Sequence, residues 1–153
     1  MKNFLTYFLA TCSFIFLLTA CSKNEILDHY NQTLQNIGDN SLTKENQLLG
    51  QRNFGEDCYV GSYTADYEDF SGTEILFGGT GLERTAGNKL TISGKLKITS
   101  GTAMLVFQSG VDDPVILTDS TEDFSETIEL PSASNYILVE GSNFSGAIDL
   151  EVK

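Results

Sequence analysis

Short stretches of alternating apolar and polar residues, separated by turn-forming residues, most constrain the fold of this chain. The clearest stretch, LTISGKLKI, runs from Leu90 to Ile98. Because successive side chains of a strand point to opposite faces, one face of this stretch is apolar and the other carries serine, threonine and lysine. The pattern predicts a β-strand with one buried face and one wet face.

Similar stretches fill residues 58–153, between clusters of Gly, Ser, Asp and Asn. Strands of this length and spacing are typical of sandwiches and barrels. We expect an all-β domain over residues 58–153, built as a two-sheet antiparallel β-sandwich with a jelly-roll-like order. The eight predicted strands are Tyr59–Tyr67, Thr73–Phe77, Leu90–Ile98, Thr102–Gln108, Val115–Thr118, Phe124–Leu130, Tyr136–Glu140 and Gly146–Val152.

The first twenty residues, MKNFLTYFLATCSFIFLLTA, have the order of a secretory signal peptide. Lys2 precedes an uncharged apolar run from Phe4 to Leu18, and small residues follow that run. The run is shorter than the roughly 20 residues that span a bilayer comfortably, and no basic stop-transfer cluster comes after it. Residues 1–20 are therefore predicted to be a signal peptide, with an uncleaved transmembrane anchor as the alternative.

The four residues Leu18-Thr19-Ala20-Cys21 resemble the lipobox of bacterial lipoprotein precursors, in which an aliphatic residue and small residues precede a cysteine. The resemblance implies acylation of the Cys21 thiol, cleavage after Ala20 and a mature chain that begins at Cys21. One acyl chain holds a protein only marginally, whereas a diacylglyceryl cysteine supplies two chains of the palmitate kind. We therefore expect a lipid anchor on a cell membrane, with the protein facing outside the cytoplasm.

The segment 21–57 is polar and is predicted to link the lipidated cysteine to the domain. Ser22 and Glu25 have the spacing of a helical capping box, and apolar residues then recur at helical spacing. We expect a helix over residues 23–37 and a weaker helical turn over residues 44–49.

Two longer stretches carry a second resemblance. YVGSYTADYEDFSGTEILFGGT and NYILVEGSNFSGAIDLEV resemble parts of small exported β-sandwich lipoproteins of Gram-positive bacteria. The likeness covers roughly residues 50–153. It implies the same fold class, but it brings with it neither an activity nor any functional residues.

The charge and composition of the chain limit its function. Nine basic and 21 acidic side chains give a formal net charge of −12, which repels phosphate backbones and makes nucleic acid an unlikely partner. With one histidine and three cysteines, the chain is poor in the side chains of transition-metal and nucleophilic sites. We expect no enzyme activity, but a binding or structural module whose partner is an envelope glycan or protein.

Cys58 is predicted to be a buried small hydrophobe.

Three tyrosines form the first candidate site. Tyr59, Tyr63 and Tyr67 alternate with Gly61 and Ala65, which places three rings on one face of a strand. Sugar-binding sandwiches use such aromatic rows, because the C–H faces of a pyranose stack on the rings. The row therefore predicts either a glycan-binding platform or a core face in which small residues make room for large ones.

Four aspartates form the second candidate site. Asp112, Asp113, Asp119 and Asp123 crowd two neighbouring loops and strand ends. Carboxylate oxygens from several turns are the ligands that calcium requires, although the spacing of a known calcium loop is absent. The alternatives are solvated acidic loops and, from another class of function, a carboxylate pair that acts on envelope glycans.

Overall fold

The computed structural model describes residues 42–80, 84 and 86–153. The predicted signal peptide 1–20, the predicted lipidation site Cys21 and the predicted helix 23–37 lie outside these residues. No helix long and apolar enough to cross a membrane occurs among the described residues. The described residues form six strands: β1 (Gln51–Phe54), β2 (Gly61–Thr80), β3 (Lys89–Ser109), β4 (Val115–Thr118), β5 (Glu122–Glu129) and β6 (Ser134–Val152).

The strands pair antiparallel in one hydrogen-bonded sheet with the order β1-β2-β6-β3-β4. β5 pairs with the beginning of β3, on the same side of β3 as β4. The predicted all-β class is confirmed. The strands form one continuous sheet where the sequence predicted two, because β2, β3 and β6 are 20, 21 and 19 residues long.

The three long strands share a line of irregular pairing halfway along their length. Register shifts fall within residues 67–72 of β2 and 98–102 of β3, opposite residues 141–146 of β6. We call these three segments the crease. Gly101 in the crease has a φ of +71°, and a Cβ there would lie 2.1 Å from the carbonyl oxygen of Asn143. Only glycine suits that position, and bulges of this kind bend a sheet.

The bend at the crease brings the two halves of the sheet face to face. Tyr63 lies before the crease and Glu74 beyond it, and on a straight strand these residues would be about 36 Å apart. The Tyr63 hydroxyl instead donates a hydrogen bond to Glu74 Oε2 at 2.8 Å. The rings of Phe54 and Phe77 also meet edge to face, with centroids 6.0 Å apart. A single core cluster therefore contains side chains from both halves.

Residues ahead of β2 are part of the folded domain. β1 pairs with β2, although it lies within segment 21–57, which was predicted to be a linker. Before β1, a turn is closed by the hydrogen bond from Leu48 N to Lys44 O at 3.1 Å, and Thr43 N donates to Ile75 O at 3.0 Å. The packed structure therefore begins at least fifteen positions earlier than the predicted domain boundary, since it includes Thr43.

Candidate functional site

The predicted tyrosine row lies in the core. Tyr63 and Tyr67 are 0% and 4% exposed on β2, and Tyr59, just before β2, is 7% exposed. A glycan-binding platform requires ring faces that a pyranose can reach. These rings belong to the core cluster instead, as the alternative interpretation of a core face requires. The row therefore presents no surface to a glycan in this structure.

Two of these tyrosines share a buried carboxylate, that of Glu74, which is 3% exposed. Glu74 Oε2 accepts hydrogen bonds from Tyr63 OH at 2.8 Å and from Tyr67 OH at 2.5 Å. Glu74 Oε1 accepts one from Leu49 N at 2.7 Å, and Gly50 N donates to Tyr63 OH at 3.1 Å. Protein donors thus bind both carboxylate oxygens. We call Glu74, Tyr63 and Tyr67 the buried cluster.

Burial and the carboxylate together control the ionisation of the tyrosines in the buried cluster. Desolvation raises the pKa of Tyr63 and of Tyr67, and the hydrogen bond to Glu74 and its negative charge raise the pKa of each further. A neutral hydroxyl donates to Glu74, whereas a phenolate would place a second negative charge beside it. The tyrosines therefore remain protonated at neutral pH, and the cluster links the two halves of the sheet.

We expect the stability of the protein to fall as the pH rises above 10. The ordinary pKa of tyrosine is 10.0, and the folded-state pKa of Tyr63 and of Tyr67 lies above it. Above pH 10 the folded state therefore binds more protons than the unfolded state, so the contribution of these groups is full below pH 10 and is lost beyond it. Urea unfolding between about pH 8 and about pH 12 measures this decline.

The double variant Tyr63→Phe/Tyr67→Phe is the control for the alkaline decline. Its stability should depend less steeply on pH in the same range, because the two hydroxyls that titrate only in the unfolded chain are gone. The same slope in both proteins would contradict a role for the buried cluster.

A second buried charge, Arg52, fastens residues 43–50, which we call the strap. The Arg52 side chain is 3% exposed, and its guanidinium donates to the carbonyl oxygens of Leu76 at 2.8 Å and of Thr43 at 2.7 Å. Its Nε and Nη2 both donate to Glu45 Oε1, at 3.0 and 2.6 Å. The planar fork of an arginine suits several acceptors at once. Arg52 thus joins the strap, β1 and the far half of β2.

The four aspartates predicted as calcium ligands are all exposed. Asp112 and Asp113 lie between β3 and β4, Asp119 follows β4, and Asp123 lies on β5, where it forms an ion pair with Lys95 at 3.3 Å. Within residues 42–80, 84 and 86–153, no group of three or more His, Cys, Asp or Glu side chains is placed to hold a metal ion. Calcium binding at these aspartates stays a prediction.

Cys58 is exposed, so the prediction that it is buried is wrong. It precedes Tyr59, whose ring lies 5.5 Å from the Arg84 guanidinium, and follows Asp57, which accepts a hydrogen bond from Arg84 Nε at 2.8 Å. Desolvation raises the pKa of the Cys58 thiol, and the negative charge of Asp57 raises it further. Since the thiolate is the reactive form, these neighbours do not activate Cys58 as a nucleophile.

A shallow groove of about 560 Å³ crosses the outer face of the half sheet that contains β1. Carboxylate, ammonium and small side chains contribute to its lining: Thr64, Asp66, Lys95, Lys97, Ala147 and Asp149. Asp149 and Lys95 lie opposite each other on β6 and β3, and such opposite charges stabilise neighbouring strands. Pairing between neighbouring strands therefore accounts for the opposite charges of Lys95 and Asp149 in the groove without a bound ligand.

Neither Glu74 nor Arg52 is among the site residues predicted from the sequence. The sequence contains a signal for Glu74, because this acid directly precedes the apolar run Ile-Leu-Phe, and a charge buried with that run needs a buried partner. The sequence contains no signal for the burial of Arg52, because this residue lies in a polar segment and its hydrogen-bond acceptors are mainly backbone carbonyl groups. Both side chains support the fold, and neither is open to a substrate.

Two solved structures show a weak likeness to this chain. No protein family and no curated protein matches the chain. A chain in the structure of Bacillus endospore appendages, described as disulfide-linked pili, is 16% identical with a TM-score of 0.37, over 73% of this chain and 95% of that one. The capsular polysaccharide assembling protein CapF from Staphylococcus aureus is 14% identical with a TM-score of 0.25, over 71% of this chain and 29% of CapF. Both TM-scores are too low for either likeness to indicate a shared function.

Proposed function

We propose that this chain is a lipoprotein precursor whose mature form is held on a cell membrane by acyl chains at Cys21. The observation that carries this proposal is Leu18-Thr19-Ala20-Cys21 at the end of an uncharged apolar run. Small residues before the cysteine let a membrane-embedded peptidase approach the backbone, and the thiol supplies the nucleophile for a thioether-linked lipid. The β domain is then displayed outside the cytoplasm.

The displayed domain acts as a non-enzymatic binding or structural module. Two features support this part of the proposal. The Glu74 carboxylate is occupied by protein donors on both oxygens, and the Cys58 thiol has a raised pKa. Cys58 is also the sole cysteine after position 21, so an internal disulfide cannot form in the mature domain. Its stability depends instead on the core, the sheet and the two buried charges.

Metabolic labelling in the native host with an alkyne analogue of palmitate tests the anchor. The wild-type chain should carry the label and should lack residues 1–20 by intact-mass analysis. The Cys21→Ser variant should carry no label and should retain residues 1–20, because the acylation site is absent. Cys58→Ser is the matched control and should be labelled like the wild type.

Equal labelling of the wild type and the Cys21→Ser variant would contradict the proposal. An intact mass that corresponds to a wild-type chain beginning at Met1 with an unmodified thiol at Cys21 would also contradict it.

A further inference from the structure

One edge of the sheet exposes apolar side chains. β4 is the terminal strand on its side, and within the described part of the chain no strand pairs with it opposite β3. Val115 and Ile116 of β4 are 51% and 54% exposed, and Val111 in the preceding turn is 86% exposed. These residues are three of the five large apolar side chains that the described residues expose. A free edge with exposed apolar side chains is a template for pairing with another strand.

The neighbouring edge strand, β5, carries charges that protect it from pairing with a further strand, whereas β4 carries none. Exposed charged side chains occupy four of the eight positions of β5: Glu122, Asp123, Glu126 and Glu129. Charges on an edge oppose pairing with a further strand. The four residues of β4, Val-Ile-Leu-Thr, carry no charge. Pro114 precedes β4 and restricts the open edge to these few residues.

Acidic residues lie at both ends of the β4 edge. Asp112 and Asp113 precede β4 and Asp119 follows it, and all three are exposed. None of them forms an ion pair with another residue that the structure describes. An antiparallel pair of two β4 edges would bring Asp119 of one copy beside Asp112 and Asp113 of the other. The formal net charge of −12 on each copy adds to this repulsion.

We propose that the β4 edge binds an extended segment of a partner protein, which joins the sheet as an added strand. The segment has apolar side chains at alternate positions, which pack on one face of the sheet beside either Val115 or Ile116, since these two consecutive residues point to opposite faces. It also has basic residues at both ends, which pair with the flanking aspartates. Backbone hydrogen bonds supply affinity in this mode of recognition, and the side chains supply specificity. The inference rests on the proposed binding role of the domain, but it does not depend on the lipid anchor.

A synthetic probe tests the proposal directly. The probe is the peptide Lys-Lys-Val-Thr-Ile-Thr-Val-Lys-Lys with fluorescein on its N-terminus and an amide at its C-terminus. The full chain is titrated into it in a neutral detergent, with the detergent alone as blank. Fluorescence anisotropy should show saturable binding with a Kd between about 10 μM and about 1 mM, as expected for a short strand.

Two N-methylated versions of the probe distinguish strand addition from non-specific adhesion. Each version carries N-methyl groups on alternate amides, so that in one version they face β4 and in the other they face solvent. One version should bind at least about tenfold more weakly than the parent, and the other should bind within about twofold of it. Equal binding of the two versions would overturn the proposal.

Variants of the protein locate the binding edge. Val115→Lys/Ile116→Lys should lower the affinity at least about tenfold, whereas Ser125→Lys/Thr127→Lys, which adds the same charges to exposed positions of β5, should change it less than about twofold. If the β4 variant fails to fold by circular dichroism, Val115→Thr/Ile116→Thr replaces it, with an expected loss of about threefold. The triple variant Asp112→Asn/Asp113→Asn/Asp119→Asn should bind with a weaker dependence on salt.

Three further results would overturn the proposal: no saturable binding by the wild type up to about 1 mM, equal losses in the β4 and β5 variants, or a wild-type dimer in sedimentation that the β4 variant abolishes. The last result would identify a second copy of the chain as the occupant. Acylation of Cys21 is measured separately, so failure of this proposal and failure of the lipid anchor are distinguishable.

Discussion

Replacing Glu74 with alanine is expected to lower the free energy of unfolding by about 3 to 5 kcal/mol. The change removes the acceptor for Leu49 N, Tyr63 OH and Tyr67 OH, all at a site that is 3% exposed. The two hydroxyls lie 3.1 Å apart and can still bond to each other, so two of the three donors lose their partner and a cavity remains. Urea unfolding followed by tyrosine fluorescence measures the loss, since the chain has no tryptophan.

Two further variants separate the buried carboxylate from general effects of substitution. Glu74→Gln keeps the shape of the side chain but replaces one acceptor oxygen with a donor. It should lower the free energy of unfolding by about 1 to 2 kcal/mol. Glu68→Ala removes an exposed carboxylate from the same strand and should cost less than about 0.5 kcal/mol. A cost for Glu74→Ala as small as that for Glu68→Ala would show that the buried cluster does not stabilise the fold.

Replacing Arg52 with methionine is expected to lower the free energy of unfolding by about 2 to 4 kcal/mol. Methionine fills much of the volume, but it leaves the carbonyl oxygens of Thr43 and Leu76 and the carboxylate of Glu45 without this donor. The strap should then detach more often, and trypsin should cleave after Lys44, which lies exposed in the strap turn. Unfolding measurements and the rate of tryptic cleavage at Lys44 are the two readouts.

Arg52→Lys is the matched control for the strap, because it keeps the charge but cannot supply the five N–H groups of the guanidinium. It should recover only part of the loss. Arg52 binds the start of the strap at Thr43, and the buried cluster binds its end at Leu49 and Gly50. We therefore expect the double variant Arg52→Met/Glu74→Ala to lose less stability than the two single variants together. Full additivity would mean that the two sites do not act through a common segment.

The sequence predicted where β-structure occurs better than it predicted how many strands there are. Three pairs of predicted strands are single strands in the structure: residues 59–67 and 73–77 contribute to β2, residues 90–98 and 102–108 to β3, and residues 136–140 and 146–152 to β6. The gaps between them contain Gly, Ser, Asp and Asn, which favour turns. Here the same residues form the crease. The same residues can form a turn or a bulge, and the strand that pairs with them decides between the two. Gly72 pairs with Gly141 of β6, which is distant in sequence.

The bend at the crease explains what was missed at the buried cluster. Period-two alternation correctly places Tyr63 and Tyr67 on one face of a strand. It cannot show that Glu74 lies opposite them, because that contact exists only once the sheet bends at the crease. The resemblance of Leu18–Cys21 to a lipobox is a signal of another kind. A lipobox is a linear motif, so no folding argument applies to the proposed processing.

The position of β6 in the sheet has a consequence for biogenesis. β6 is the last strand in chain order, yet it lies in the middle of the sheet and pairs with both β2 and β3. Pairs such as Gly61 with Val152 therefore cannot form until β6 has left the ribosome, and such long-range pairing is slow. If the chain is exported as proposed, the sheet can be completed outside the membrane only after this central strand has crossed.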